Sequence, residues 1–303
     1  MSKTLFIVNP NAGSGRGRET WRKIEPELAS LTADYSVVMT RRIEDVDEII
    51  AQSALNAVER IISIGGDGTI NVVVNALMKY QKTQPDKTFI YGTIPAGTGR
   101  DFARGSGIPL DTLKAANYVL KQATVRPIDV GHVVFGEEEC YFLNISSAGI
   151  SNDVVQRVES TTKRPWTYLV SVITALWKYE PEAMQIELDG DLWFDGHIYI
   201  VAVANGTTFG QGILIAPDAI SDDGLFDVVV AEEMPTFDLI RAFPTIYTGK
   251  HITHPKVKIG RAKQVRIISP TNRVIGLDFD GEAAASATEI RYEILPAALN
   301  ILL

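Results

Sequence analysis

The stretch Arg60-Ile61-Ile62-Ser63-Ile64-Gly65-Gly66-Asp67-Gly68-Thr69-Ile70-Asn71 is the most informative part of this chain. An apolar run ends in glycine, glycines flank one carboxylate, and a second apolar pattern opens at Ile70. A short continuous apolar run bounded by glycine fits a buried strand, and the residues after it fit a helix entered through a tight loop. Glycines let backbone N–H groups approach an anion closely, and the helix dipole adds positive potential at the same spot. A carboxylate is out of place there unless a cation accompanies the anion. Phosphate plus magnesium meets both demands, so the loop reads as a nucleoside triphosphate site. The competing local reading is a tight turn with Asp67 in solvent.

The segments on either side repeat this strand-then-helix pattern. Strands are expected at Thr4–Val8, Tyr35–Met39, Arg60–Ile64 and Phe89–Ile94. Helices are expected at Glu19–Leu31, Val46–Val58, Ile70–Tyr80 and Leu110–Lys121. Such alternation predicts a Rossmann-like α/β domain with a mainly parallel sheet, whose ligands sit beyond the carboxyl ends of the strands. After Pro127 strand-like runs dominate: Ile128–Phe135, Glu139–Ser146, Gln185–Leu188, His197–Ala204, Leu225–Ala231, Gln264–Ile268, Val274–Asp278 and Glu289–Ile294. Helical segments at Trp166–Tyr179 and Thr236–Thr248 interrupt them. This half predicts a β-rich, antiparallel, sandwich-like domain. The expected division is a nucleotide-binding domain over 1–129, completed by 295–303, and a second domain over 130–294. The apolar end Leu299–Leu303 is expected to return to the first domain.

The 303 residues suffice for two domains, and a composition 46% hydrophobic and 22% charged is that of a folded chain. A net charge of −8 argues against nucleic acid as a partner. The single cysteine, Cys140, fits a reducing compartment. The N-terminus enters a strand pattern at once, and the longest apolar run, Tyr168–Trp177, is too short to span a bilayer. The expectation is a cytoplasmic protein, resting at most on the inner face of the membrane.

Other motifs admit two readings each on local grounds. Asn9-Pro10-Asn11-Ala12-Gly13-Ser14-Gly15 leads from strand to helix without the Gly-Lys-Ser/Thr ending of a P-loop, so a phosphate loop competes with a plain turn. In Pro95-Ala96-Gly97-Thr98-Gly99-Arg100-Asp101-Phe102, Thr98 suits a phosphate contact or a helix cap. Thr40 ends the second strand on the same sheet edge. Asp278-Phe279-Asp280-Gly281-Glu282 is either an exposed acidic hairpin turn or the source of a proton-accepting carboxylate. Ile220-Ser221-Asp222-Asp223-Gly224-Leu225 is a turn able to offer oxygens to a hard cation. His251 and His254 lack a third ligand, which argues against metal. Trp166, Leu169, Val170, Ile173, Leu176 and Trp177 lie at helical spacing, as core or as the wall of an acyl-chain site, with Arg157, Lys163, Arg164 and Lys178 beside them.

Taken in order, Asn9-Pro10 through Gly13, Gly65-Gly66-Asp67-Gly68-Thr69, Gly97-Thr98 through Asp101-Phe102-Ala103-Arg104, and Asp280-Gly281-Glu282 resemble the diacylglycerol kinase catalytic family, nearest to the soluble bacterial and YegS-like lipid kinases. The glycine–Asp–Gly–Thr loop is also similar to that of NAD kinases and phosphofructokinases. The combination is what is specific, and it covers nearly the whole chain. The resemblance implies an interdomain ATP cleft and a second domain that receives a lipid, most simply diacylglycerol, at a membrane surface. It implies ATP contacts from Asn9, Pro10, Asn11, Ala12, Gly13, Thr40, Gly65, Gly66, Asp67, Gly68, Thr69, Ile70, Asn71 and Thr98. It implies a structural Mg2+ held by Asp223 with main-chain oxygens of Ile220 and Leu225. Asp67 is read as orienting the nucleotide magnesium, and the resemblance implies that the Asp280-Gly281-Glu282 turn carries the proton acceptor, Glu282 being the family's usual assignment and Asp280 its competitor. NAD or a sphingoid base as substrate, a silent nucleotide- or lipid-binding regulator, and a homodimer stay open. One position departs from the family pattern: Arg100 stands where Asn is usual.

Overall fold

The computed structural model describes residues 3–32, 34–42, 45–150 and 179–303, with only the backbone of 29 and 282–285. The helix expected over Trp166–Tyr179, with its apolar stripe and flanking basic residues, lies outside them but for Tyr179. The chain forms two compact units, Met1–Val130 with Pro296–Leu303, and Gly131–Leu295.

The first unit is α/β. Strand β1 (Thr4–Val8) leads to α1 (Ala12–Ile24) and a short α2 (Leu28–Leu31), then β2 (Tyr35–Met39), α3 (Asp45–Leu55), β3 (Arg60–Gly65) and α4 (Asp67–Thr83). Next come β4 (Ile90–Pro95), α5 (Asp101–Gly105), α6 (Thr112–Asn117) and β5 (Val125–Phe135), which runs on into the second unit. Strands β2–β1–β3–β4 pair in parallel, in that order. Both faces of such a sheet are covered, which explains the unbroken apolar runs: Phe6, Ile7, Val8, Ile61, Ile62 and Ile64 are fully buried. Trp21 of α1 packs its ring 5.8 Å from that of Phe6.

Several boundaries differ from expectation for local reasons. The helix expected over Glu19–Leu31 is broken by a 3-10 turn at Glu25–Glu27, where Pro26 cannot donate to the helical ladder. Asp111 caps α6 by accepting the Lys114 N–H at 3.0 Å, so that helix starts two residues late. Its end opens into a π turn at Tyr118–Gln122.

The second unit is antiparallel. Its strands are β6 (Glu138–Phe142), β7 (Ile145–Gly149), β8 (Glu182–Leu188), β9 (Asp191–Ala204) and β10 (Phe226–Glu232), then, after the helix α7 (Thr236–Ala242), β11 (Val257–Ala262), β12 (Gln264–Ile268), β13 (Ile275–Phe279), β14 (Glu282–Ala287) and β15 (Glu289–Leu302). The path β14–β13–β7–β9–β8–β12–β15 is continuous, with β10 joining β9 to β11. A core containing Phe142, Met184, Phe226 and Tyr292 is buried, and the Phe142 and Phe226 rings stack at 5.8 Å. The single strand expected over Glu139–Ser146 is two strands. The intervening Leu143 and Asn144 turn their N–H groups to a side chain instead of to a neighbouring strand. Strand β15 pairs with β12 through Glu289–Glu293 and then runs on, so that Asn300 and Ile301 pair in parallel with Ile90 and Tyr91 of β4. The C-terminal apolar residues thereby complete the first unit.

Candidate functional site

The parallel register aligns the carboxyl ends of β1, β2, β3 and β4: Val8 lies opposite Met39 and Ile64, and Gly65 opposite Pro95. The loops leaving these ends therefore meet at one edge. Gly65 O accepts from Ala96 N at 2.6 Å and Gly97 N at 3.1 Å. Asn9 Nδ2 donates to Thr69 Oγ1 at 2.9 Å. Thr40 N donates to Val8 O at 2.9 Å, and its hydroxyl donates to the same oxygen at 3.2 Å. Gly66 and Gly97 approach so closely that a side-chain carbon on Gly97 would collide with the Gly66 Cα.

The start of α1 is interrupted by a left-handed kink at Gly13, Ser14 and Gly15, with φ of 57°, 62° and 97°, so the loop after β1 in effect extends to Gly15. The non-glycine Ser14 in this region marks a strained segment. Helix α4 starts at Asp67, behind an extended Gly66, so the N–H groups of Asp67, Gly68 and Thr69 have no intrahelical acceptor. Together with the dipole of a helix running to Thr83, they make that end attractive to an anion. Ile70 and Asn71 are buried in the next turn.

Asp67 is not simply solvated. Its Oδ1 accepts the Phe102 N–H at 3.2 Å, at the start of α5. A methyl group on Gly99 would lie 2.8 Å from Asp67 Oδ2 and 3.0 Å from the Oδ2 of buried Asp101. Two carboxylates thus converge beside Gly99, a donor set suited to a hard cation. Among the described residues, no group of three or more Asp, Glu, His or Cys side chains is gathered for a metal.

Arg16 escaped the sequence reading. Its Nε donates to Gly13 O at 3.0 Å and its Nη2 to Thr98 Oγ1 at 2.8 Å, so one exposed cation bridges the first and third loops. Arg100 is left-handed, with φ 55°. Asn tolerates that region far better than Arg, which gives the family's usual residue a conformational reason. The Arg100 guanidinium donates to Leu110 O at 3.2 Å.

In the second unit, Asp280 and Gly281 form the two-residue turn between β13 and β14, both with positive φ, and Phe279 pairs with Glu282 across it. Asp280 does not stand free as an acidic turn in solvent: its carboxylate accepts N–H groups of Leu143, Asn144 and Ile145 at 3.1, 2.9 and 3.2 Å. Asp278 is buried and accepts the Ser147 hydroxyl at 2.9 Å. Ser146 Oγ and the Tyr292 hydroxyl lie 3.2 Å apart, and burial pushes the Tyr292 hydroxyl well above the usual phenol range.

Asp223 lies elsewhere in this unit. Its Oδ1 accepts the Leu225 N–H at 3.1 Å, and its Oδ2 is ion-paired with Arg261. Arg261 also faces Asp227 at 3.6 Å. Burial raises the Asp227 carboxyl above its ordinary value, opposed by Arg261. Asp223 and the main-chain oxygens of Ile220 and Leu225 are all hard donors, so their chemistry fits Mg2+, with Arg261 as the competing positive charge. His251 is buried and hydrogen-bonds Ile215 O at 2.9 Å through Nε2, a core role.

The fold and the loop edge agree with what the chain is similar to. A family model described as the diacylglycerol kinase catalytic domain matches residues 3–133, and one described as the YegS C-terminal NAD kinase beta sandwich-like domain matches 144–303. A diacylglycerol kinase of Bacillus subtilis (strain 168) is 30% identical over 286 residues, spanning 93% of this chain and 90% of that protein. One of Mycobacterium tuberculosis (strain CDC 1551 / Oshkosh) is 28% identical, spanning 100% of this chain and 95% of that one. The crystal structure of a diacylglycerol kinase from Bacillus anthracis str. Sterne shares the fold, with a TM-score of 0.74 at 24% identity over 99% of this chain and 96% of the other. The chain belongs to the diacylglycerol kinase family, a class of lipid kinases. No helix among the described residues is long and apolar enough to cross a membrane.

Proposed function

We propose that this protein transfers the terminal phosphoryl group of ATP to the free hydroxyl of diacylglycerol, giving phosphatidic acid and ADP. The observation that carries the reading is the meeting of three glycine-bearing loops at one edge of a parallel sheet, in a chain similar over most of its length to proteins named diacylglycerol kinases. Phosphoryl transfer needs positioning and charge neutralisation more than covalent help. Gly65, Gly66, Gly68 and Thr69 cradle the phosphates with backbone N–H groups. Asn9 to Gly13, Thr40, Ile70, Asn71 and Thr98 complete the nucleotide contacts, and Arg16 adds a positive charge at the same edge. Asp67, with Asp101 beside it, would hold the nucleotide magnesium, which when bound neutralises phosphate charge. Asp223, with the carbonyls of Ile220 and Leu225, would hold a second, structural magnesium. Glu282 takes the hydroxyl proton. The substrate is a bilayer lipid, so the protein works at a membrane surface, in the cytoplasm at its inner face.

The test is phosphoryl transfer from ATP labelled at the terminal phosphate, offered diacylglycerol, a sphingoid base and NAD in parallel, with magnesium. Label in phosphatidic acid is the expected result. Label confined to the sphingoid product or to NADP would replace diacylglycerol as the substrate.

A further inference from the structure

We infer that Asp280 is a positioning residue that fixes the Glu282 backbone, and that it does not itself take the proton. This role rests on the kinase reading above and deepens it.

The three N–H donors to the Asp280 carboxylate come from consecutive residues, Leu143, Asn144 and Ile145, at the break between β6 and β7. Consecutive backbone N–H groups around one anion make a preformed anion seat. In return, the Asp280 N–H donates to Ile145 O at 2.9 Å, so the turn residue is held through both backbone and side chain. The seat is itself anchored. Asn144 O accepts Asn205 N at 2.9 Å and Gly206 N at 2.8 Å, Leu143 O accepts Asn205 Nδ2 at 2.9 Å, and Asn144 Nδ2 donates to Thr208 O. Beside the turn, Ser146 Oγ donates to Asp278 O at 2.7 Å and Ser147 Oγ to Asp278 Oδ2 at 2.9 Å, tying β13 to β7.

A carboxylate offers about four lone-pair sites. Three of those on Asp280 point at fixed donors that favour the anion and occupy the electrons a base would extend to a hydroxyl. Taking a substrate proton would remove the charge that strengthens these contacts and so weaken the hold on its own turn. Those same contacts define where the chain enters β14, and Glu282 is the first residue of that strand, opposite Phe279. Asp280 therefore sets the place of Glu282.

The experiment compares Asp280→Asn, Asp280→Ala, Glu282→Gln and Glu282→Ala in the full chain, by kcat against pH, by KM for ATP and by melting temperature. Asn suits a left-handed turn, so Asp280→Asn folds even if Asp280→Ala does not. For Asp280→Asn, kcat falls about 10- to 100-fold, as expected for misplacement of a reacting group, while KM for ATP and the acid limb of the kcat profile are kept. Glu282→Gln loses about 100- to 10,000-fold in kcat together with that limb, at unchanged melting temperature. Added acetate restores turnover to Glu282→Ala and not to Asp280→Ala. Loss of the acid limb in Asp280→Asn, or acetate rescue of Asp280→Ala, would make Asp280 the base and overturn the inference. Full turnover in Asp280→Asn with only a lowered melting temperature would overturn it as well, leaving a merely structural contact. A wild-type protein silent toward every lipid would count against the kinase reading. The melting temperatures would then decide the turn-holding role by themselves, lowered in the Asp280 variants and unchanged in Glu282→Gln if it stands.

Discussion

Asn9 Nδ2 donates to Thr69 Oγ1 at 2.9 Å, so the loop after β1 is tied to the first turn of α4, 60 residues further on. Both residues belong to motifs legible along the chain, but nothing in either motif shows that the two side chains meet. Their contact is what turns two glycine-rich turns into one anion-facing edge, with Asp67 in the same helical turn as Thr69.

Asp67 is the residue on which the proposed chemistry leans most. Asp67→Asn keeps an acceptor for the Phe102 N–H, so it holds the start of α5 while removing the charge. The expected outcome is a loss of kcat of about 100-fold or more, within the range for removal of one electrostatic group, with melting temperature shifted by no more than a few degrees. Steady-state kinetics over a range of magnesium concentrations, with a thermal melt, check it.

Gly97→Ala tests the close approach of two loops. The added carbon collides with the Gly66 Cα, backbone against backbone, where no side chain can yield. Overpacking of this kind costs about 1–3 kcal/mol. The expected result is a lower melting temperature together with a raised KM for ATP. An unchanged KM would separate this contact from the nucleotide edge.

Arg100→Asn should leave turnover intact and the melting temperature within a few degrees of wild type. The substitution relieves a left-handed arginine, worth roughly 1–2 kcal/mol for most residues, and gives up the hydrogen bond to Leu110 O, so the two effects offset. Arg100→Ala loses the bond and keeps the backbone strain, and should melt lower than either.

In the proposed structural magnesium site, Arg261 would compete with the ion for Asp223, to which it is ion-paired. Added Mg2+ is expected to raise the melting temperature of the wild type and to raise it further in Arg261→Ala, where the ion pair no longer occupies the carboxylate. Asp223→Ala should melt at a temperature indifferent to Mg2+ or chelator. Differential scanning calorimetry with and without EDTA reads all three.

His251 gives a pH dependence. Burial pulls its pKa below the usual 6.5, only partly opposed by the hydrogen bond to Ile215 O. The folded value lies below the unfolded one, so the unfolded chain binds more protons as pH drops past about 6.5. The contribution of His251 is therefore complete above that pH and declines below it. Melting temperatures between pH 7 and pH 5 should fall less steeply in His251→Gln than in the wild type.

The elements of the first unit could be read from sequence because a buried parallel strand needs an unbroken apolar run and its helix needs a glycine-bearing entrance, both written locally at Ile61–Gly68. The break between β6 and β7 could not be read. Tyr141, Phe142 and Leu143 continue an apolar strand pattern into Ile145, and nothing in them shows that a carboxylate 137 positions away will claim the Leu143 N–H. Arg16 was illegible for a similar reason: an arginine near a glycine-rich turn is common, and only the fold brings Thr98 to it.

Side-chain type and spacing were enough for the alternation of strands and helices up to Pro127, the strand-rich second half, and the ordered motif set that marks the family. A chain carries those before it folds. Three other features exist only once distant segments meet: Asp280 held by three N–H groups, Arg100 in a left-handed turn, and Arg16 spanning two loops. Every residue except proline carries the same backbone N–H, so composition says nothing about where one points. That direction is settled when distant strands pair and the remaining donors are left facing whichever acceptor the fold has brought beside them.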